Sequence, residues 1–164
     1  MVEEYNRTSA LQYAHTWAYG RNPRYLDFSN LGGDCTNFAS QVLFAGGRVM
    51  NYHDADGWFY IDGNRKSPSW VGVDFLYRFL VNNQTLGPFV SEVDISDLIP
   101  GDLIQMAFSD VGSFNHSLIV VSAGVPASIE NILVATHTDD QDYYSLLNYT
   151  WRRLRFLHLE GIYV

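Results

Sequence analysis

Residues 116–140 read HSLIVVSAGVPASIENILVATHTDD, and they hold two apolar runs separated by the segment AGVPASIEN at 123–131. Both runs are rich in β-branched side chains and read as buried strands. The connection is too short for a helical crossover, which takes a dozen residues or more, so the two strands must be antiparallel neighbours. Upstream, PGDLIQMAF (100–108) opens with a turn and continues as a strand; downstream, LRFLHLEGIYV (154–164) is a last strand. The first half has a different period. Residues 6–19 place Leu11, Ala14, Trp17 and Ala18 on one helical face, with Gly20 as the stop. Residues 35–45 repeat Phe38, Val42 and Ala45 at helical spacing and end at Gly46-Gly47. Residues 69–82 form a third helix, with Val71, Phe75, Leu76, Phe79 and Leu80 inward and Ser67 or Ser69 as cap. Segment 20–33 is a loop packed by its own aromatics, and 48–68 is irregular, with turns at DADG and IDGN. Helices first and strands afterwards predict an α+β fold with a mainly antiparallel sheet.

The 164 residues, 47% hydrophobic and 15% aromatic, suit one packed domain spanning 1–164. There is no repeat, low-complexity tract or linker. A net charge of −8 repels polyanions, and RRLR at 152–155 is too short to offset it, so nucleic acid is not an expected partner. No apolar run is long enough for a membrane span. One cysteine cannot form an internal disulfide. The N-terminal MVEEYNRTSA shows no export signal; an extracellular or cell-wall location is expected if the chain is part of an exported parent chain, in which fusion to other domains is possible, and the sequence alone does not separate this from a cytoplasmic protein.

That single cysteine, Cys35, sits in GGDCTNFASQVLFAGG (32–47), at the start of the second helix. Unpaired N–H groups and the positive end of the helix dipole stabilise a thiolate there, and the same N–H groups can hold an oxyanion. Asp34 is the expected N-cap, shaping the oxyanion site, and Gly32-Gly33 permit a tight entry. The competing reading is a small buried hydrophobe, the commonest fate of a free cysteine. A nucleophilic thiol needs a base. Of five histidines, His15 lies mid-helix, His53 in a turn-rich loop, and His158 alternates within the last strand. His116 opens a strand after the DVGSFN loop, a rigid mount with an open side. His137 and Asp139 follow at the end of the next strand, and either could fix the tautomer of His116.

DCTNF with its flanking glycines, Ser69-Trp70, PGDLIQ, HSLIVV and THTDD together resemble the putative amidase domain family, which is similar to the NlpC/P60 and CHAP cysteine peptidases. The resemblance spans nearly the whole chain. It implies a papain-like fold, Cys35 as nucleophile, His116 as base, and His137 as the third, orienting residue, with Asp139 as the alternate. It also implies a substrate among bacterial cell-wall peptides, cut at an amide or peptide bond without metal or organic cofactor. The expected resting state is a Cys35 thiolate paired with a His116 imidazolium. Trp58, Tyr60 and Trp70 stand as candidates for substrate contact or for packing, in a cleft expected from residues 50–70 and 109–115. Two other readings remain open: an inactive papain-like binding module, and a cysteine hydrolase of a non-wall protein or small amide. A calcium site is disfavoured, because DADGWFYIDGN has its glycine at the fourth position of the loop instead of the sixth.

Overall fold

A computed structural model describes residues 1–164. In chain order the elements are β1 (Val2–Glu3), α1 (Arg7–Trp17), α2 (Cys35–Gly47), β2 (Tyr60–Asp62), β3 (Arg65–Lys66), α3 (Pro68–Val71), α4 (Val73–Asn82), β4 (Gly87–Val93), β5 (Leu103–Ala107), β6 (His116–Ser122), β7 (Leu133–Thr136), β8 (Gln141–Ser145) and β9 (Arg153–Tyr163). Strands β2 and β3 form a separate hairpin. The other seven make one antiparallel sheet around the long β9. Strand β4 runs along one edge of β9, while β5 and the short β1 share the opposite edge; β6, β7 and β8 then follow outward from β5. This is the mixed helix and antiparallel-sheet architecture that the change of period predicts.

The alternation within the strands explains why both faces of the sheet are covered. Leu103, Ile119, Val121, Ala135, Leu157 and Leu159 face α1, α2 and α4 in one buried cluster. Ile104, Met106, Leu118, Val120 and Val134 face the other way, against Leu98, Ala127, Ile132 and Leu146 from the connecting segments. A strand buried on both faces loses the apolar–polar alternation, which is why HSLIVV reads as a continuous run.

Some elements differ from their sequence reading. The helix expected at 69–82 is two helices, broken at Gly72, whose backbone is extended (φ −107°, ψ 130°) and whose N–H closes α3 on the Pro68 carbonyl. A Cβ on Gly72 would lie 2.8 Å from Phe75 Cδ2 and 3.1 Å from the Pro68 carbonyl oxygen, so a larger residue at this break would have to displace the half-exposed Phe75 ring. Gly46 and Gly47 do not cap α2 but belong to it; the left-handed cap is Arg48 (φ 60°). Gly46 is bare because Tyr5 packs there, where a Cβ would lie 2.3 Å from the ring. Strand β7 stops at Thr136, short of the expected 131–140, and β4 and β8 have no counterpart in the sequence reading. Trp58, Tyr60 and Trp70 are core residues, with Trp58 and Trp70 ring centroids 4.8 Å apart. No helix is long and apolar enough to cross a membrane.

Candidate active site

Cys35 is the first residue of α2 and is 7% exposed, reachable but nearly covered. Its sulfur lies against the backbone N–H of Ser117 and 3.8 Å from Thr36 Oγ1. His116, the first residue of β6, is equally buried, so the helix start and the strand start meet at one place. Thiol and imidazole make no hydrogen bond with each other. The phenol ring of Tyr149 stands 6.0 Å from the His116 ring.

The tautomer of His116 follows from its one partner. Thr136 Oγ1 donates its single proton to the carbonyl oxygen of Ser117 (2.9 Å) or of His137 (3.0 Å). Toward His116 Nε2, at 3.4 Å, that hydroxyl oxygen therefore presents a lone pair. With Thr136 donating to its nearer carbonyl acceptors, the imidazole proton is assigned to Nε2, and Nδ1, which makes no hydrogen bond within the chain, is left to accept a proton.

Burial pushes the Cys35 thiol up from its ordinary value, against the lowering effect of hydrogen bonds from Ser117 and Thr36; the Asp34 charge raises it further. Burial lowers His116 to about 4, opposed by the nearby Asp139 carboxylate. The resting pair is therefore neutral thiol and neutral imidazole. This corrects the expected thiolate–imidazolium pair: the helix end does not outweigh desolvation of the charges.

The depressed imidazole has a consequence for stability. His116 binds its proton less readily folded than unfolded, so its contribution is fully present above about pH 6.5 and is lost as pH falls from there toward 4. The shift corresponds to about 3 kcal/mol. His116→Gln is expected to flatten the fall in urea-unfolding free energy between pH 7 and pH 4 by about that amount. An unchanged pH slope in the variant would refute the depressed value.

Asp34 and His137 occupy other places than the sequence suggests. The Asp34 side chain does not cap α2. Fully buried, its Oδ1 accepts from the Phe28 N–H (2.8 Å) and from Asn37 Nδ2 (2.9 Å), pinning the 21–33 loop to the helix. Its Oδ2 is hydrogen-bonded to His137 Nδ1. His137 Nε2–H donates to the Trp17 carbonyl at 2.8 Å, and the ring stacks on Phe38. Both nitrogens of His137 are thus engaged away from His116. Parity is the reason: Ala135 and His137 belong to the helix side of the sheet, whereas Val134 and Thr136 share the face of His116.

Asp139 sits in a turn with two left-handed residues, Thr138 (φ 66°) and Asp139 itself (φ 54°). The turn is held by the Asp34 N–H donating to Thr138 Oγ1 (3.3 Å), and by Arg21, whose guanidinium takes both oxygens of Asp140 at 2.9 and 3.0 Å. Among the remaining histidines, His15 bonds Asp142 at 2.8 Å, His53 pairs with Asp56 at the surface, and His158 donates to Asp102.

The family model for the putative amidase domain matches residues 4–158, almost the full chain. The chain belongs to that family. Its name points to hydrolysis of an amide. An uncharacterized protein of Bacillus subtilis (strain 168), YhbB, is 37% identical over 121 residues, covering 73% of this chain and 38% of that protein. The chain thus spans well under half the length of this relative. No solved structure matches.

A cavity of about 960 Å³ in this amidase-family domain forms a groove between segment 51–57 and the Phe75, Arg78 and Asn82 face of α4. Part of the cleft expected from residues 50–70 thus exists, but neither the thiol nor the imidazole lines it. No three His, Cys, Asp or Glu side chains are placed to share a metal ion. Thr136, Ser117 and Tyr149 escaped the sequence reading. Thr136 was recoverable, since counting in twos from Val134 puts it on the face of His116.

Proposed function

We propose that this domain is a cysteine hydrolase of a papain-like kind that cleaves an amide or peptide bond in bacterial peptidoglycan. The observation that carries the reading is the meeting of Cys35, at a helix start, with His116, at a strand start, where Thr136 leaves Nδ1 as the free base. The motif resemblance to NlpC/P60 and CHAP peptidases supports the wall substrate, and membership of the amidase family supports the bond type.

Chemistry proceeds from the neutral pair. As the Cys35 sulfur attacks the amide carbonyl carbon, His116 Nδ1 takes its proton. The carbonyl oxygen becomes an oxyanion held by N–H groups at the start of α2. The imidazolium gives its proton to the amine nitrogen, the C–N bond breaks, and a thioester remains. Water then attacks the thioester, His116 accepts one of its protons, and the acid leaves as the thiol reforms. Asp139 stabilises the transient imidazolium by its charge, while Thr136 fixes the ring. His137 supports the site from behind through Asp34.

Digestion of purified cell walls, with mass spectrometry of the fragments, tests the substrate. One new amine and one new carboxyl terminus are expected at a single bond type; walls left intact in every preparation would remove peptidoglycan from the reading. In the same assay Asp139→Ala is expected to lower turnover about 10- to 100-fold with the fold kept. His137→Ala is expected to lower stability while the folded fraction stays active. The reverse pattern would return the orienting role to His137.

A further inference from the structure

Three motifs leave one residue each without a part in that chemistry: Thr36 of DCTNF, Gln105 of PGDLIQ and Ser117 of HSLIVV. All three are fully buried. They touch in sequence. Gln105 Oε1 accepts from Arg155 Nε (2.8 Å) and from a terminal guanidinium nitrogen (2.5 Å). Gln105 Nε2 lies 3.0 Å from the Val73 carbonyl and 3.2 Å from Ser117 Oγ. Ser117 Oγ lies 2.9 Å from Thr36 Oγ1, which is 3.8 Å from the Cys35 sulfur.

One set of directions gives every polar proton of these side chains an acceptor. Arginine has donors only, so the amide of Gln105 must turn its oxygen to Arg155 and its NH₂ inward. Its two N–H bonds go to Val73 and Ser117. Ser117, having accepted, has one proton left and one neighbour, Thr36. Thr36 in turn has one proton left and one neighbour, the sulfur. Arg155 is itself fixed, sandwiched between the rings of Tyr77 (3.7 Å) and Phe114 (3.8 Å) and paired with Asp74 at 2.8 Å.

We infer that Arg155, Gln105, Ser117 and Thr36 form a one-way hydrogen-bond chain that ends in an O–H donated to the Cys35 sulfur. Thr36 and Gln105 are thereby positioning residues for the thiol. A hydrogen bond to sulfur gains strength as the thiolate forms, because its acceptor becomes charged. The chain offsets part of the desolvation that holds the thiol protonated. This inference takes Cys35 as the nucleophile from the reading above, but its test reads ionisation and not turnover, so either can fail without the other.

Cys35 is the sole cysteine, so alkylation by iodoacetamide reports on one site. At pH 8, Thr36→Val is expected to slow alkylation about three- to tenfold, the loss of one charge-assisted hydrogen bond partly offset by a more nucleophilic thiolate. Gln105→Glu, which offers Ser117 an acceptor and turns its proton away from Thr36, is expected to do the same. Thr36→Ser keeps the hydroxyl and should stay within about twofold of the parent. A purely structural role would change the unfolding midpoint and leave these rates alone; parental rates in folded Thr36→Val and Gln105→Glu would overturn the chain. The unaltered protein gives a reading that depends on no variant. Raising pH through the thiol titration should shift the NMR resonance of the buried Thr36 hydroxyl, and an unmoved resonance would also overturn it.

Discussion

Replacing Cys35 with alanine is expected to reduce amide cleavage to background, a fall of about four orders of magnitude or more, while the folded domain persists. Without the sulfur there is no thioester, and the free Nδ1 of His116 has no S–H proton to remove. The structural cost is small, because alanine continues the helix and leaves only a sulfur-sized void at its start. Thermal unfolding should shift by a few degrees at most, for a change of about 1 kcal/mol. Turnover of the purified variant, measured beside its unfolding curve, separates the two effects. Cleavage at a tenth of the parental rate or more would take the nucleophile's role away from Cys35. The burial that raises the thiol also predicts slow alkylation of the parent protein at neutral pH. Fast labelling there would contradict the neutral resting pair.

The largest stability effect is expected at Asp102, the aspartate of PGDLIQ. Its carboxylate is fully buried and accepts four hydrogen bonds. Oδ1 takes Arg7 Nη1 (2.8 Å) and the Leu159 N–H (3.0 Å); Oδ2 takes the Ile99 N–H (2.9 Å) and His158 Nδ1 (2.8 Å). One side chain thus ties the start of α1, the turn before β5 and the middle of β9. Asp102→Ala leaves Arg7 without its carboxylate partner, the buried Leu159 N–H without an acceptor and the half-buried Ile99 N–H without its own, at a cost of about 3–5 kcal/mol. Asp102→Asn keeps the shape but turns an NH₂ toward a donor, so its cost should fall between parent and alanine. Urea unfolding measures both. As a control, Asp62→Ala removes the exposed ion pair with Arg65 and two exposed turn hydrogen bonds, and should move the midpoint far less than Asp102→Ala. Equal midpoints for Asp102→Ala and the parent would refute this account of the hub.

How much of this was legible in the sequence depends on how each residue declares itself. The helix at Arg7–Trp17 and the helix at Cys35–Gly47 announced their apolar spacing, and HSLIVV and LRFLHLEGIYV declared buried strands. Strand β8 did not, since QDYYS has no alternation and Tyr143 within it is left-handed (φ 49°). Strand β4 did carry a signal, FVSEV, but short and half-exposed. The break at Gly72 was hidden because Val71 and Phe75 fit one continuous helical face. At the site, Cys35 and His116 stood out by chemistry and position, and they lie together. His137 stood out by chemistry alone. The parity of β7, set by Val134 and Ala135, turned it toward Asp34 and placed a threonine, which carries no obvious chemical flag, beside His116. Ordinary polar residues such as Gln105 gain meaning only once their neighbours fix the direction of each proton.

His116 and Ser117 are consecutive and therefore face opposite sides of the sheet. The proton acceptor approaches from one surface and the buried hydroxyl relay from the other, so the sulfur is addressed at the rim where the two surfaces meet. A slip of one residue in the pairing of β6 with β5 would exchange the two roles and, in the same stroke, turn Leu118 and Val120 out of their cluster and into the helical layer. Selection for a well-filled interior thus enforces the placement of the reactive groups, and drift in one is not free of the other.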